Sequence, residues 1–178
     1  SLPPLVMFPV FGPYGSHVLG DLDADGIIEV VTVCQSSTAP GVFGIVIHTN
    51  ASAGLLSQVQ SFALSSPIYG AGGIALGDFN ADGLKDIAVQ AFYSNTFPQA
   101  GIAHVRVMVQ GPLLTFTETG PFWFANGSAP CTSSCGAAGG IVAGHADGDG
   151  AEDLVLEGPV TPPSPRIWVL HGHPTAVL

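Results

Sequence analysis

The sequence predicts an all-β repeat fold. Three observations predict it: an Asp-rich motif recurs three times, β-branched runs bounded by turn residues flank each copy, and no long segment keeps a helical period. At 178 residues the chain is long enough to bury a core and lies in the range of one domain.

The copies are Gly20-Asp-Leu-Asp-Ala-Asp-Gly-Ile-Ile-Glu29, Gly77-Asp-Phe-Asn-Ala-Asp-Gly-Leu-Lys-Asp86 and Gly144-His-Ala-Asp-Gly-Asp-Gly-Ala-Glu-Asp153. Each follows a small-residue and apolar stretch: Ser16–Leu19, Gly73–Leu76, Gly140–Ala143. Each precedes a strand-forming run (Val30–Val33, Ile87–Val89, Leu154–Leu156), a turn region, and a further run (Val42–Ile47, Ala103–Val109, Arg166–Leu170). With 24 Gly and 15 Pro, no substantial helix is expected. The expected organisation is a single repeat domain over 1–178, with units near 12–68, 69–135 and 136–178. The apolar stretch Leu5–Phe11 belongs to none of them, so residues 1–11 are read as an edge-completing strand.

Composition narrows the function. The chain is 47% hydrophobic and 9% charged, the reverse of a disordered chain's balance. From Val30 to Gly77 there is no Asp, Glu, Lys or Arg, yet Gly, Ser, Pro, Gln and Asn interrupt the stretch before a membrane span accumulates. A formal charge of −10, with only Lys85, Arg106 and Arg166 as cations, argues against nucleic acid. No Gly-x-Ser-x-Gly elbow, His-Glu-x-x-His or phosphate-binding Gly loop is present, so no enzyme is expected. Ser1 fits a mature chain whose signal peptide has gone, or a fragment of a longer protein.

Every acidic residue except Glu118, Glu152 and Glu157 sits at position 1, 3, 5 or 9 of a loop. Asp21, Asp23, Asp25 and Glu29 occupy these positions in loop one, and Asp78, Asn80, Asp82 and Asp86 in loop two. In loop three they are His145, Asp147, Asp149 and Asp153. Short oxygen-bearing side chains at alternate positions of a tight loop converge on one point, as Ca²⁺ requires, and carboxylates so crowded repel one another unless a cation lies among them. The backbone carbonyl of position 7 (Ile27, Leu84, Ala151) is the expected further ligand, and Gly26, Gly83 and Gly150 at position 6 are expected at positive φ. Calcium is expected in loops one and two; His145 leaves loop three open, because imidazole suits softer metals. An EF-hand is excluded: position 12 is Thr32, Val89 and Leu156, and the flanks are β-forming.

The second copy in particular resembles the FG-GAP or VCBS repeat of integrin α-subunit β-propellers and bacterial surface proteins. The resemblance covers nearly all of residues 16–173 as three units. It implies three four-stranded antiparallel blades, a partial propeller, with calcium held between the first two strands of each by the residues named above. His145 departs from the family's acidic first ligand, and Glu29 more mildly at position 9. Closed propellers have about four to eight blades, so the array is expected to be completed by strand exchange or oligomerisation.

The remaining features bear on exposure and partners. Outside the loops the charges reduce to Glu118, Glu157, Arg106 and Arg166, few for an uncovered surface. Cover is expected from further copies of the chain or from glycans at the sequons of Asn50 and Asn126 and along Thr161–Pro165. Cys131 and Cys135 offer a short disulfide loop, leaving Cys34, or are two buried thiols. Phe116, Phe122, Trp123 and Phe124 are a sugar-binding or interface patch, or core. His171-Gly-His173 is a metal spacing or a plain turn. The expectation is an extracellular or cell-surface, calcium-stabilised structural or adhesive protein that self-associates, as in a filament. The alternative is a module that binds carbohydrate or a cell-surface protein.

Overall fold

The computed structural model describes residues 16–35, 42–50, 56–65, 68, 70–92, 103–123, 140–157 and 167–173. Strands β1 (His17–Gly20), β2 (Glu29–Gln35), β3 (Phe43–Asn50) and β4 (Leu56–Ala63) form sheet one. Strands β5 (Gly70–Gly77), β6 (Asp86–Phe92), β7 (Ala103–Gly111) and β8 (Thr115–Trp123) form sheet two. Sheet three holds β9 (Ile141–Gly144), β10 (Asp153–Glu157) and β11 (Ile167–Leu170). Each sheet is an antiparallel meander in chain order. The fold is therefore all-β, with sheets of the blade type; sheet three has three strands among the described residues rather than four. The stretch 1–11, the sequon of Asn126, Phe124, Cys131, Cys135 and Thr161–Pro165 lie outside the described residues, as does the part of the Asn50 sequon that follows β3.

Alternation decides how the sheets stack. Successive strand residues face opposite ways, so each sheet offers two apolar faces. Val31 and Val33 of β2, with Ile45 and Ile47 of β3, pack against Ile87 and Val89 of β6 and Met108 of β7. The opposite face of sheet two, carrying Ala88, Val105 and Val107, packs against Ile141, Leu154 and Leu156 of sheet three. Val31, Val33, Ile45, Ile47, Ile87 and Val89 are wholly buried, each contributing roughly 1.5–3 kcal/mol. A simple rule emerges. The residue after each loop's position 9 (Val30, Ile87, Leu154) faces back along the array, and the next one (Val31, Ala88, Val155) faces forward.

The aromatic cluster is divided by this packing. Phe116 stacks on Phe62 of sheet one with ring centroids 5.4 Å apart, and Phe122 lies against the second core. Arg106, which the sequence places among the surface charges, is 2% exposed. It sits in the face that looks at sheet one, where its guanidinium bonds Glu118 and the Ser65 hydroxyl while Nε donates to His104 Nε2 at 3.1 Å. Glu118 in turn accepts from the Ser65 backbone N–H at 2.9 Å, tying the segment after sheet one to the outer strand of sheet two. The surface is thus still poorer in charge than the sequence suggests.

Strand β5 touches both β1 and β9, so the first strands of the three sheets lie side by side and their loops share one end of the array. Neighbouring units are stitched there. Gln110 Nε2 donates to the Leu22 carbonyl at 2.8 Å, the Glu152 N–H to Asp78 O at 2.8 Å, and the His173 N–H to Phe79 O at 3.0 Å.

Candidate metal centre

The three loops share one backbone design. Position 6 is left-handed in each, at φ +84° for Gly26, +88° for Gly83 and +102° for Gly150. Position 4 is left-handed as well: Ala24 and Ala81 lie at φ 59° and 58°, and Gly148 at 80°. Ala24 and Ala81 carry no signal for this conformation in the sequence, whereas Gly148 is the residue it favours.

Side chains turn inward by hydrogen-bonding the loop's own N–H groups, as Asp and Asn do in tight turns. Position 5 accepts from the N–H of position 7 in all three loops: Asp25 from Ile27 at 2.7 Å, Asp82 from Leu84 at 2.8 Å, Asp149 from Ala151 at 2.9 Å. Position 3 accepts from the N–H of position 5: Asp23 from Asp25 at 3.3 Å, Asn80 from Asp82 at 3.1 Å, Asp147 from Asp149 at 3.0 Å. Position 1 accepts from the glycine N–H in the first two loops, Asp21 from Gly26 at 3.0 Å and Asp78 from Gly83 at 2.8 Å.

Position 9 is built differently from the rest. Glu29, Asp86 and Asp153 are 1%, 0% and 0% exposed and begin the second strand of each sheet. Each accepts the N–H of position 2: Glu29 from Leu22 at 2.8 Å, Asp86 from Phe79 at 3.0 Å, and Asp153 from Ala146. The second oxygen reaches a later element of the same unit: Thr49 Oγ1 for Glu29 at 3.1 Å, the Gln110 N–H for Asp86 at 2.8 Å, and the Gly172 N–H for Asp153 at 3.1 Å. These acids latch the loop to the sheet. The buried position 2 side chains Leu22 and Phe79, unmarked by the sequence reading, plug the loop into the core from below.

Position 9 also reveals how unlike the loops are electrostatically. Burial, together with the charges of Asp82 and Asp78, pushes the Asp86 carboxyl up to about 6 against the opposing pull of the Gln110 and Phe79 N–H groups. Burial acts upward on Asp153 too, but the N–H groups of Ala146, Gly172 and Asp147 and the nearby His171 outweigh it and hold that carboxyl below its ordinary range.

Loop one brings Asp21, Asp23 and Glu29 together, with one oxygen of each within 4.8 Å of the others. Asp21 Oδ1 is shielded from solvent and has no hydrogen-bond partner among the described residues. A buried carboxylate oxygen without a donor calls for a cation, so this donor set fits Ca²⁺. Loop two keeps the same hydrogen bonds, with Asn80 Nδ2 donating to Asp82 Oδ2 at 2.9 Å. Loop three differs. The His145 ring lies with Nδ1 3.0 Å from the Ala151 carbonyl, the group that position 7 would offer a metal, and Asp147 and Asp153 gather instead around His171 at the end of β11. Glu152, at position 8, pairs with Lys85 of loop two at 2.9 Å and accepts the Asp78 N–H.

Comparison with known proteins agrees with this architecture. Residues 21–89, running from loop one through sheet one and loop two into β6, match the family model of the FG-GAP-like repeat, a segment that ends before unit three. No curated protein matches the chain. The match identifies the segment 21–89 as an FG-GAP-like repeat.

Proposed function

We propose that the chain is a calcium-stabilised structural module of the cell exterior that assembles head to tail with copies of itself. The observation that carries this is the forward face of sheet three. Val142, Val155 and Val169 lie in register across its three strands, and Ile167 lies on the same face. In sheets one and two the corresponding face is buried against the next sheet; here Val142 is 59% and Ile167 74% exposed. The surface offered to it is the exposed part of the backward face of sheet one around Leu19, which is 63% exposed; Thr32 and Cys34 on that face are already covered within the chain. A second copy supplies that face and repeats the two contacts already inside the chain. Such contacts make a ring if the rotation closes and a filament if it does not.

Calcium supports the same role. Asp21, Asp23 and Asp25, with the Ile27 carbonyl and Glu29, would hold it in loop one; Asp78, Asn80, Asp82, the Leu84 carbonyl and Asp86 would hold it in loop two. The ion would supply charge neutralisation and rigidity at the end of the array where the units are stitched. A structural rather than catalytic role accords with the engagement of the acidic side chains by loop N–H groups. The reading as a sugar-binding module is disfavoured by Phe116 and Phe122, which pack inward.

Light scattering and electron microscopy of the purified chain, with calcium and with chelator, test this reading. Assemblies are expected with calcium, and Val169→Lys is expected to return them to monomer. A monodisperse calcium-loaded monomer overturns it.

A further inference from the structure

We propose that loop three, together with the end of β11, forms a separate site for a borderline divalent transition metal such as zinc, ligated by Asp147, Asp153 and His171. This goes beyond the calcium reading and concerns different donors.

His171 Nδ1 lies 3.0 Å from Asp147 Oδ2 and 3.2 Å from Asp153 Oδ1. The three ligand atoms all fall within 4.8 Å of one another. Zinc bonds to nitrogen and oxygen at about 2.0–2.2 Å, which makes the edge of a tetrahedron about 3.4 Å. Both distances from the imidazole nitrogen are close to that edge, and three protein ligands leave the fourth position for water or an incoming group. The same loop has lost what calcium requires: position 1 is imidazole rather than carboxylate, and the position 7 carbonyl is occupied by His145. Loop one gathers carboxylates alone, whereas loop three gathers two carboxylates and an imidazole, a set that favours zinc over calcium.

The imidazole is held in place by backbone. Gly172 N–H donates to Asp153 Oδ1 and His173 N–H to Phe79 O, so the residues on the C-terminal side of His171 are clamped to two loops. A side chain at position 172 would collide with the carbonyls of Glu152 and Phe79, so glycine lets the segment approach this closely. Asp153 is equally fixed, its Oδ2 accepting the N–H groups of Ala146 and Asp147 while Oδ1 retains a lone pair toward His171. Ligands positioned by such second contacts bind metal without paying for reorganisation. Binding takes the tautomer with hydrogen on Nε2, the metal replacing any proton on Nδ1.

The test is a Co²⁺ titration of the full, chelator-stripped chain, followed by visible absorption, with Zn²⁺ and Ca²⁺ as competitors. One equivalent of Co²⁺ with a tetrahedral visible band is expected, displaced by Zn²⁺ and retained in millimolar Ca²⁺. His171→Ala should weaken Zn²⁺ binding at least 100-fold while calorimetric calcium binding stays as in the parent; exposed His17→Ala should change neither. Absence of a tetrahedral band, displacement of Co²⁺ by Ca²⁺, or unchanged Zn²⁺ affinity in His171→Ala overturns the proposal. If His171→Ala does not fold, the titration of the unaltered chain decides. Loss of this site leaves the calcium isotherm intact, so its failure is distinguishable from failure of the calcium reading.

Discussion

His145 Nδ1 lies 3.0 Å from the carbonyl oxygen of Ala151, so in loop three the first residue reaches the seventh directly. In loops one and two position 1 is a carboxylate that accepts the glycine N–H instead. His145→Asp is expected to release the Ala151 carbonyl, restore an acidic first ligand, and add one calcium equivalent in isothermal titration. Unchanged stoichiometry would show that His145 does not control this loop.

Asp21 Oδ1 is shielded and without a donor among the described residues, and a cation in loop one would satisfy it. Asp21→Ala is expected to remove one calcium equivalent. At about 100-fold excess over Kd, a bound ion stabilises by about 2.7 kcal/mol. Chelator should therefore lower the parent's Tm by several degrees and lower that of Asp21→Ala by less, as read in scanning calorimetry.

Glu118 supplies a pH dependence. Burial raises its carboxyl, but Arg106 and the Ser65 donors outweigh burial and hold it below the usual range. A carboxyl depressed in the folded state contributes stability above its unfolded pKa, and that contribution disappears as pH falls through the folded value. Glu118→Gln strands the buried Arg106 charge, so a loss of about 3 kcal/mol is expected at pH 7 and a smaller one near pH 3. Urea melts of both proteins at the two pH values measure the difference.

The β7–β8 turn carries avoidable strain. Leu113 (φ 59°) and Leu114 (φ 56°) are both left-handed, and the Thr115 N–H closes the turn on the Pro112 carbonyl. This is the geometry that favours Asn and Gly in a two-residue hairpin turn. Leu113 is 96% exposed and loses no packing on replacement. Leu113→Asn is expected to stabilise by about 1 kcal/mol, seen as a higher urea midpoint at unchanged slope.

Much of the fold was legible because it is local. The β-branched runs after each loop became β2, β6 and β10, and the next runs became β3, β7 and β11. The outer strands β4 and β8 were implied by the family resemblance alone. Leu56–Ala63 is rich in Ser and Gln, and Thr115–Trp123 includes Gly120 and Pro121, so neither segment announces itself as a strand.

The candidate site was legible in part. The turn chemistry of Asp and Asn is local, and at positions 3 and 5 of every copy these side chains bond the N–H group two residues on. Position 9 was more than a loop residue, because its second oxygen binds a partner on another strand: Thr49, Gln110 or Gly172. His171 stood 18 residues from Asp153, and only the return of β11 beside β10 brings them into contact.

The sequence by itself determined the order strand, loop, strand and the turn geometry of each Asp-rich loop, because these rest on contacts within about ten residues. Only the tertiary structure decided that loop three takes His171, that Arg106 is buried against Glu118 and Ser65, and which faces of the sheets are covered. Those outcomes depend on how whole sheets stack. Residues far apart in the chain meet there through packed surfaces that no local pattern encodes.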